Sequence, residues 1–377
     1  MRTVLISGAG IAGPTLAYWL ARAGLRPTVV ERAGAPRSSG SPVDVRGPAL
    51  AVAERMGVVP DLRAAATAVT GLTFVDSRGR RVGRIPMGSA RRGEVELPRG
   101  DLATILYEAG RDTVEYVFGD HVTALDQDAG GVDVTFAHAA PRRFDLVVGA
   151  DGLHSAVRRL AFGPEAAFVR HLGLHIATAP LPGEPEGGRD VTMWTAPGRT
   201  VAIHPSRGRA LAAFMFRGPA VPGLDHRDIA RHRTLVTDAY ADAGWRVPEL
   251  LDVVRTTPDL YLDGVCQVRL PRWSNGRVTL LGDAASCVSL FGDGSTLAMA
   301  GAATLADALA AHPHDHGAAL AAYESRHRTL VDPRQRGVAR GAALLIPATR
   351  AGLTARDASI RVLSAASAVR SHWARAA

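Results

Sequence analysis

The stretch Thr3-Val-Leu-Ile-Ser7, followed by Gly8-Ala-Gly-Ile-Ala-Gly13, decides the fold. Its first part is short and apolar on both faces, as a buried parallel strand must be. Its second part matches G-x-G-x-x-G, and Pro14 to Ala23 reads as the helix that follows. Leu25-Arg-Pro-Thr-Val-Val30 reads as a second strand, ending at Glu31. Strand, glycine turn, helix, strand and acid in this order form the context that a dinucleotide fingerprint requires. Gly8 permits the tight turn, Gly10 lets a pyrophosphate approach the backbone, and Gly13 lets the helix pack on the strand. The helix N-terminus offers N–H groups and a positive dipole end to phosphates. Glu31 would accept hydrogen bonds from a ribose and would repel a 2′-phosphate, which disfavours NADP at this position. The stretch therefore implies a dinucleotide and leaves NAD and FAD both open.

The 377 residues suffice for two domains, or for one large α/β domain with an insertion. Apolar residues at 47% and charged residues at 21% are the balance of an ordinary globular chain. No apolar run is long enough to span a bilayer, and the start lacks the pattern of a signal peptide, so a cytoplasmic location is expected. The formal charge of +8 is carried by arginine alone, with no lysine anywhere. These arginines are scattered among acids rather than gathered into a patch, which argues against nucleic-acid binding and leaves a mild attraction for anions. Cys266 and Cys287 have neither disulfide nor metal spacing and read as free thiols. The cluster His312-Pro-His-Asp-His316 lacks a preformed fourth ligand, so no metal is expected.

Further motifs follow in order. Glu96-Leu-Pro-Arg99-Gly-Asp-Leu102 leads into a helix from Leu102 to Ala109. Phe144-Asp-Leu-Val-Val-Gly-Ala-Asp151-Gly152-Leu-His-Ser155-Ala-Val-Arg158 is a buried strand, a small-residue turn and a helix. Arg277-Val-Thr-Leu-Leu-Gly282-Asp283-Ala-Ala-Ser286 is a strand ending in a Gly-Asp turn, followed by Phe291-Gly-Asp-Gly294 and a helix from Ser295 to Ala311. Strands that end in Asp151 and Asp283 present carboxylates at the mouth of an α/β sheet, where ligands of such folds bind.

With these motifs in this order, the chain resembles the group A flavoprotein monooxygenases of the p-hydroxybenzoate hydroxylase-like family, nearly end to end. The resemblance implies an α/β architecture: a Rossmann-like FAD-binding domain, an inserted antiparallel β-sheet substrate domain and C-terminal helices. The expected bounds are 1–164 and 271–322 for the FAD domain, 165–270 for the substrate domain and 323–377 for the closing helices. It also implies roles. Asp283 would hold a ribityl hydroxyl, and Arg99 would meet the phosphate or ribityl chain. Asp151, Gly152 and Arg158 would lie between the pyrophosphate and the nicotinamide donor, and Arg46 beside the flavin. Gly292 and Gly294 would open a helix whose positive end stabilises the anionic reduced flavin. Ala12, Arg32, Leu102 and Ser295 complete the expected cofactor set. One departure is visible: the family's loop after the Gly-Asp turn often carries His or Tyr and a proline. Here Ser286 to Gly294 has neither His nor Pro and looks one residue shorter.

Between residues 165 and 270, runs such as Thr200-Val-Ala-Ile-His204 and Ala210-Leu-Ala-Ala-Phe-Met-Phe216 alternate as strands do. A helix is expected from Ile229 to Ala243. Met193, Trp194, Phe214, Phe216 and Phe291 are the candidate substrate-lining residues, with sheet-core packing the competing role for alternating aromatics. The implied activity is a single-component monooxygenase: NADPH or NADH reduces FAD, O2 adds to give a C4a-hydroperoxide, and one oxygen passes to a small or medium aromatic or polyketide-like substrate. The chemistry is flavin-centred, so no catalytic side chain is singled out. A cyclase or binding module using FAD without redox, or a flavin-dependent reductase, are the alternatives on the same scaffold; a halogenase is disfavoured because its catalytic lysine has no counterpart here. A monomer or homodimer is expected, with no nucleic-acid or membrane partner.

Overall fold

In the computed structural model the described residues are 3–35, 41–87, 93–183, 188–205, 210–225, 227–288 and 292–376. The chain forms two compact units. The first comprises Met1–Ala66, Gly93–Arg170 and Cys266–Gly337; the second comprises Thr67–Arg92, His171–Val265 and Val338–Ala377.

The first unit is built on a six-stranded sheet in the order Ser274–Asn275, Val278–Leu280, Leu146–Gly149, Thr3–Ser7, Arg26–Glu31, Glu115–Phe118. Every neighbour pair is parallel except the hairpin made by Ser274–Asn275. Thr3–Ser7 lies between Leu146–Gly149 and Arg26–Glu31, and Val4, Leu5, Ile6, Leu146, Val147 and Val148 are wholly buried. That is why these strands read as continuous apolar runs. Because the strands are parallel, the turns at Gly8, Ala150 and Leu281 all leave from one edge of the sheet. The helix Ala12–Arg22 packs on the helix Asp293–Ala311. The latter is buried on most of its circumference, and its many alanines permit that close approach. A two-stranded ribbon pairs Pro42–Val45 with Val95–Pro98. A three-stranded antiparallel sheet spans Val122–Phe144.

The second unit holds a seven-stranded sheet in the order Tyr261–Val268, Val169–Pro180, Leu211–Arg217, Arg199–His204, Asp190–Ala196, Gly71–Val75, Arg81–Pro86. One face, with Ala177, Trp194, Val201, Phe214 and Phe216, packs beneath the helices Ile229–Ala239 and Val247–Thr256. The opposite face carries Phe74, Val191, Met193 and Ala202, packed with Ile360 of the helix Arg350–Ala376. The two-residue period of a strand produces this separation.

The units differ from the expected bounds: the first unit also takes in residues 165–170 and 266–270, and two larger stretches are divided differently. Residues 67–92 belong with the second unit, because Gly71–Val75 pairs in parallel with Asp190–Ala196. The helix His316–Leu345 contributes residues to both units, and Pro333 lies inside it. Among the described residues, no helix is long and apolar enough to cross a membrane.

Candidate functional site

The glycines of the fingerprint have separable reasons. Gly8 sits at φ +107, and a Cβ there would lie 2.5 Å from the Ala150 carbonyl oxygen of the neighbouring strand's turn. A Cβ on Gly13 would lie 1.9 Å from the Gly8 carbonyl oxygen. Both positions are forced by the protein's own packing. Gly10 is different: a Cβ there would meet nothing within 4 Å. No neighbour among the described residues fills the space at Gly10, which leaves its backbone open to a ligand.

Other motifs converge on the same edge. Gly282, at φ +63, would place a Cβ 3.1 Å from the Ala12 side chain and 3.8 Å from that of Ala298. The Gly-Asp turn thus touches both the fingerprint helix and the helix Asp293–Ala311. A Cβ on Gly294 would be 3.8 Å from Asp283 Oδ1, so the Asp283 carboxylate lies beside the start of that second helix. Asp283 is half-buried and makes no hydrogen bond among the described residues. Glu31 accepts the Ala9 N–H at 2.8 Å and the Ala33 N–H at 2.9 Å, one on each carboxylate oxygen. Each oxygen keeps a lone pair, so the oriented carboxylate can still accept ribose hydroxyls. Open backbone at Gly10, an oriented acid at Glu31 and an unpaired acid at Asp283 fit a dinucleotide bearing a polyol chain.

Asp151 and Arg158 are committed to the protein. Asp151 accepts hydrogen bonds from the Ser155 hydroxyl and from Val157 N–H at 3.1 Å. Burial pushes its carboxyl above the ordinary value, against these hydrogen bonds. Ser155 in turn caps the helix Ala156–Ala161 by accepting the Arg158 N–H. Arg158 is wholly buried and donates to the carbonyls of Ala284 at 3.1 Å and Leu153 at 2.6 Å, and to Glu165 at 3.3 Å. Burial lowers its pKa. Arg158, expected between the pyrophosphate and the nicotinamide donor, pins the Gly-Asp turn to the Asp151 turn from inside.

At the start of the helix Asp293–Ala311, Gly292 is left-handed at φ +72 and the Asp293 carboxylate faces two arginines. Arg46 Nη2 lies 2.7 Å and Arg334 Nε 3.5 Å from Asp293 Oδ1, with Asp44 3.6 Å from Arg46. Burial raises the Asp44 pKa against the pull of Arg46. Burial opposes the Arg46 charge, yet the Asp293 hydrogen bond and the Asp44 charge hold its pKa above the ordinary value. Ser295, expected to touch the cofactor, donates its hydroxyl to the Asp44 carbonyl at 2.6 Å. Asp44, Asp293, Arg334 and Gln335 escape a sequence reading: Asp293 lies inside the quoted Phe291-Gly-Asp-Gly294, but Arg334 carries no local motif.

The remaining expected residues are dispersed. Arg32 and Arg99 are exposed, and Arg99 makes no hydrogen bond or ion pair among the described residues. Leu102 is fully buried and acts in packing. Trp194, Phe214 and Phe216 lie in the core beneath helices, at 2%, 0% and 7% exposure. This favours sheet-core packing, the competing role, over the pocket: alternation turns them all to the helix-covered face. Met193 lies on the other face, also buried. Phe291 falls outside the described residues. Cys266 and Cys287 are both buried, and neither forms a disulfide. No cluster of three metal-ligating side chains occurs among the described residues. A separate cleft of about 330 Å³ in the first unit is lined by Trp273, Ser286, Arg328 and Gln335, among others, and holds none of the fingerprint glycines.

Comparison with known proteins bears on this geometry. A family model described as an FAD binding domain matches residues 1–333. An uncharacterized protein of Mycobacterium tuberculosis (strain ATCC 25618 / H37Rv) is 40% identical over 343 residues, 89% of this chain and 92% of that protein. A flavin-dependent monooxygenase of Legionella longbeachae is 33% identical over 339 residues, 88% of this chain and 87% of that protein. The crystal structure of the tetracycline destructase Tet(55) superposes with a TM-score of 0.84 at 31% identity, covering 97% of this chain and 96% of that one.

Proposed function

The chain belongs to the FAD binding domain family, alongside relatives named flavin-dependent monooxygenases, and from that premise we propose that it uses NADPH or NADH and O2 to hydroxylate a small or medium organic molecule. The reaction balances as substrate, O2, NAD(P)H and a proton giving hydroxylated substrate, NAD(P)+ and water. Bound FAD supplies the passage of electrons from the nicotinamide to O2. The single observation that carries the reading is the open backbone at Gly10, flanked by the oriented Glu31 and the unpaired Asp283.

We assign the chain's own residues as follows. Gly10 and the N–H groups opening the helix Ala12–Arg22 receive the pyrophosphate. Glu31 takes the adenosine ribose, and Asp283 takes a hydroxyl of the ribityl chain. The start of the helix Asp293–Ala311 faces the pyrimidine edge of the flavin and favours negative charge there. Arg99 and Arg32, both exposed, are free to meet phosphate. The first substrate class to test is the tetracyclines, since a tetracycline destructase is 31% identical to this chain over nearly its full length; the reading rests on that likeness and on the flavin site.

The test is an anaerobic titration of the FAD-loaded protein with NADPH, following the flavin absorption bands. Bleaching, faster when a tetracycline is added, is the expected result. A protein that cannot be loaded with FAD would overturn the reading at its base. An Asp283→Ala variant should lose most of its bound FAD; unchanged flavin content and activity would show that the flavin site is wrongly placed.

A further inference from the structure

We propose that Arg46 and Arg334 are positioning residues of the flavin site: they draw the Asp293 carboxylate off the helix Asp293–Ala311 and so keep its N-terminal N–H groups available to the cofactor. The inference rests on the FAD reading above and deepens it.

The residue that caps this 19-residue helix is Gly292, which has no side chain to offer its free N–H groups. A carboxylate in the first turn is drawn toward those groups by the helix dipole. The Asp293 carboxylate is instead turned to Arg46 at 2.7 Å and Arg334 at 3.5 Å. Arg334 is itself anchored, with Nη1 donating to the Leu330 carbonyl at 2.8 Å, one turn back on its own helix. The hydroxyls that follow Asp293 are also turned away. Ser295 and Thr296 both donate to the Asp44 carbonyl, at 2.6 and 3.2 Å. Every side chain able to cap this helix end is thus engaged elsewhere.

The backbone around it is fixed from two sides. A Cβ on Gly292 would meet Asp44 Oδ2 at 2.7 Å, so the left-handed residue fits tightly against the ribbon. Gln335, next to Arg334, donates through Nε2 to the Val268 carbonyl at 2.8 Å and the Cys287 carbonyl at 3.4 Å. Adjacent residues of one helix therefore grip the chain just before and just after residues 289–291, the part of the loop that lacks the family's proline.

The charges decide the sign. Asp44 and Asp293 face Arg46 and Arg334, all partly shielded from water, and Glu94 and Glu96 add negative charge beside Asp44. Removing one arginine makes this helix N-terminus still more negative, which disfavours an anionic reduced flavin there. It also frees Asp293 to take the N–H groups for itself. Both effects weaken FAD binding and make the bound flavin harder to reduce.

The experiment compares wild type, R46Q, R334Q, D293N and the double variants R46Q/D293N and R334Q/D293N. It measures the FAD dissociation constant by flavin fluorescence and the midpoint potential of the bound flavin. Each single arginine variant should weaken FAD binding about tenfold and shift the potential to more negative values. Adding D293N should restore both quantities, and D293N alone should bind FAD at least as tightly as wild type. Double variants as impaired as their arginine parents would overturn the proposal, since the arginines would then act without Asp293. An unaltered R334Q would overturn it for Arg334. If R334Q does not fold, R334K, which keeps the charge, must retain wild-type affinity and potential; a loss there counts against the proposal, and the R46Q pair still decides it. Wild-type protein that takes up no FAD would instead sink the flavoenzyme reading beneath it.

Discussion

At the scale of the residue, Gly10 and Gly13 separate ligand from fold. A methyl at Gly13 would collide with backbone at 1.9 Å, and such overpacking costs about 3 kcal/mol or more. Gly13→Ala should therefore lower the melting temperature of the FAD-free protein. Gly10→Ala meets no protein atom; its FAD-free melting temperature should match wild type while flavin content falls after purification. Gly13 was legible in the sequence, since the motif assigns it to helix packing, while for Gly10 the motif names a ligand that the variant puts to the test. His327 was not legible. It is buried against Trp273 and Tyr323, with both ring nitrogens unpartnered among the described residues, and a Cβ on Gly301 would lie 2.7 Å from its Nε2. Burial pushes its pKa down to about 4, with the Arg334 charge acting the same way. The unfolded chain takes up the proton near 6.5, the folded protein only near 4. The neutral imidazole's contribution is therefore complete above the unfolded pKa and is lost as pH falls toward the folded one, on the order of 3 kcal/mol across that window. Melting curves from pH 7.5 to 5 should fall less steeply for His327→Leu than for wild type. No local pattern marks such a histidine, because its burial depends on a helix packed from elsewhere in the chain.

At the scale of the element, Tyr240 shows how a helix is fastened to the large sheet. Its hydroxyl donates to the Thr200 and Met215 carbonyls, each at 2.8 Å, on paired neighbouring strands. Tyr240→Phe should cost about 1–2 kcal/mol by removing a buried donor, read as a lower midpoint in urea denaturation. The strands Arg199–His204 and Leu211–Arg217 were legible because their apolar residues alternate. Gly71–Val75 and Arg81–Pro86, at the far end of the same sheet, were not assigned to it. Gly71–Val75 joins in parallel to a strand more than a hundred residues later, and alternation reveals a strand without naming its partner. The aromatic positions stayed open between pocket and core for a related reason. Period two states that Phe214 and Phe216 share a face, but only the helices packed there show that the face is core. Phe214→Ala should thus cost about 3–5 kcal/mol of stability, visible as a large drop in melting temperature whether or not substrate is present.

At the scale of the whole molecule, the site and the fold are linked through the cofactor. FAD that binds only the folded chain adds RT ln(1 + [FAD]/Kd), about 2.7 kcal/mol at a hundredfold excess over Kd. Thermal shift assays should show the melting temperature climbing with FAD concentration in wild type and staying nearly flat in Gly10→Ala. The first unit is gathered from separate stretches of chain, Met1–Ala66, Gly93–Arg170 and Cys266–Gly337. Its strand Thr3–Ser7 precedes its partners by a long way in sequence: Val4 waits for Leu146, and Val147 for Val278. Contacts so distant along the sequence make for slow folding. On the ribosome the nascent fingerprint emerges well before Val278–Leu280, the strand that joins its sheet last, and its apolar faces stay open to chaperones or to aggregation until then. A product truncated ahead of that strand carries the recognition motif without the sheet that supports it.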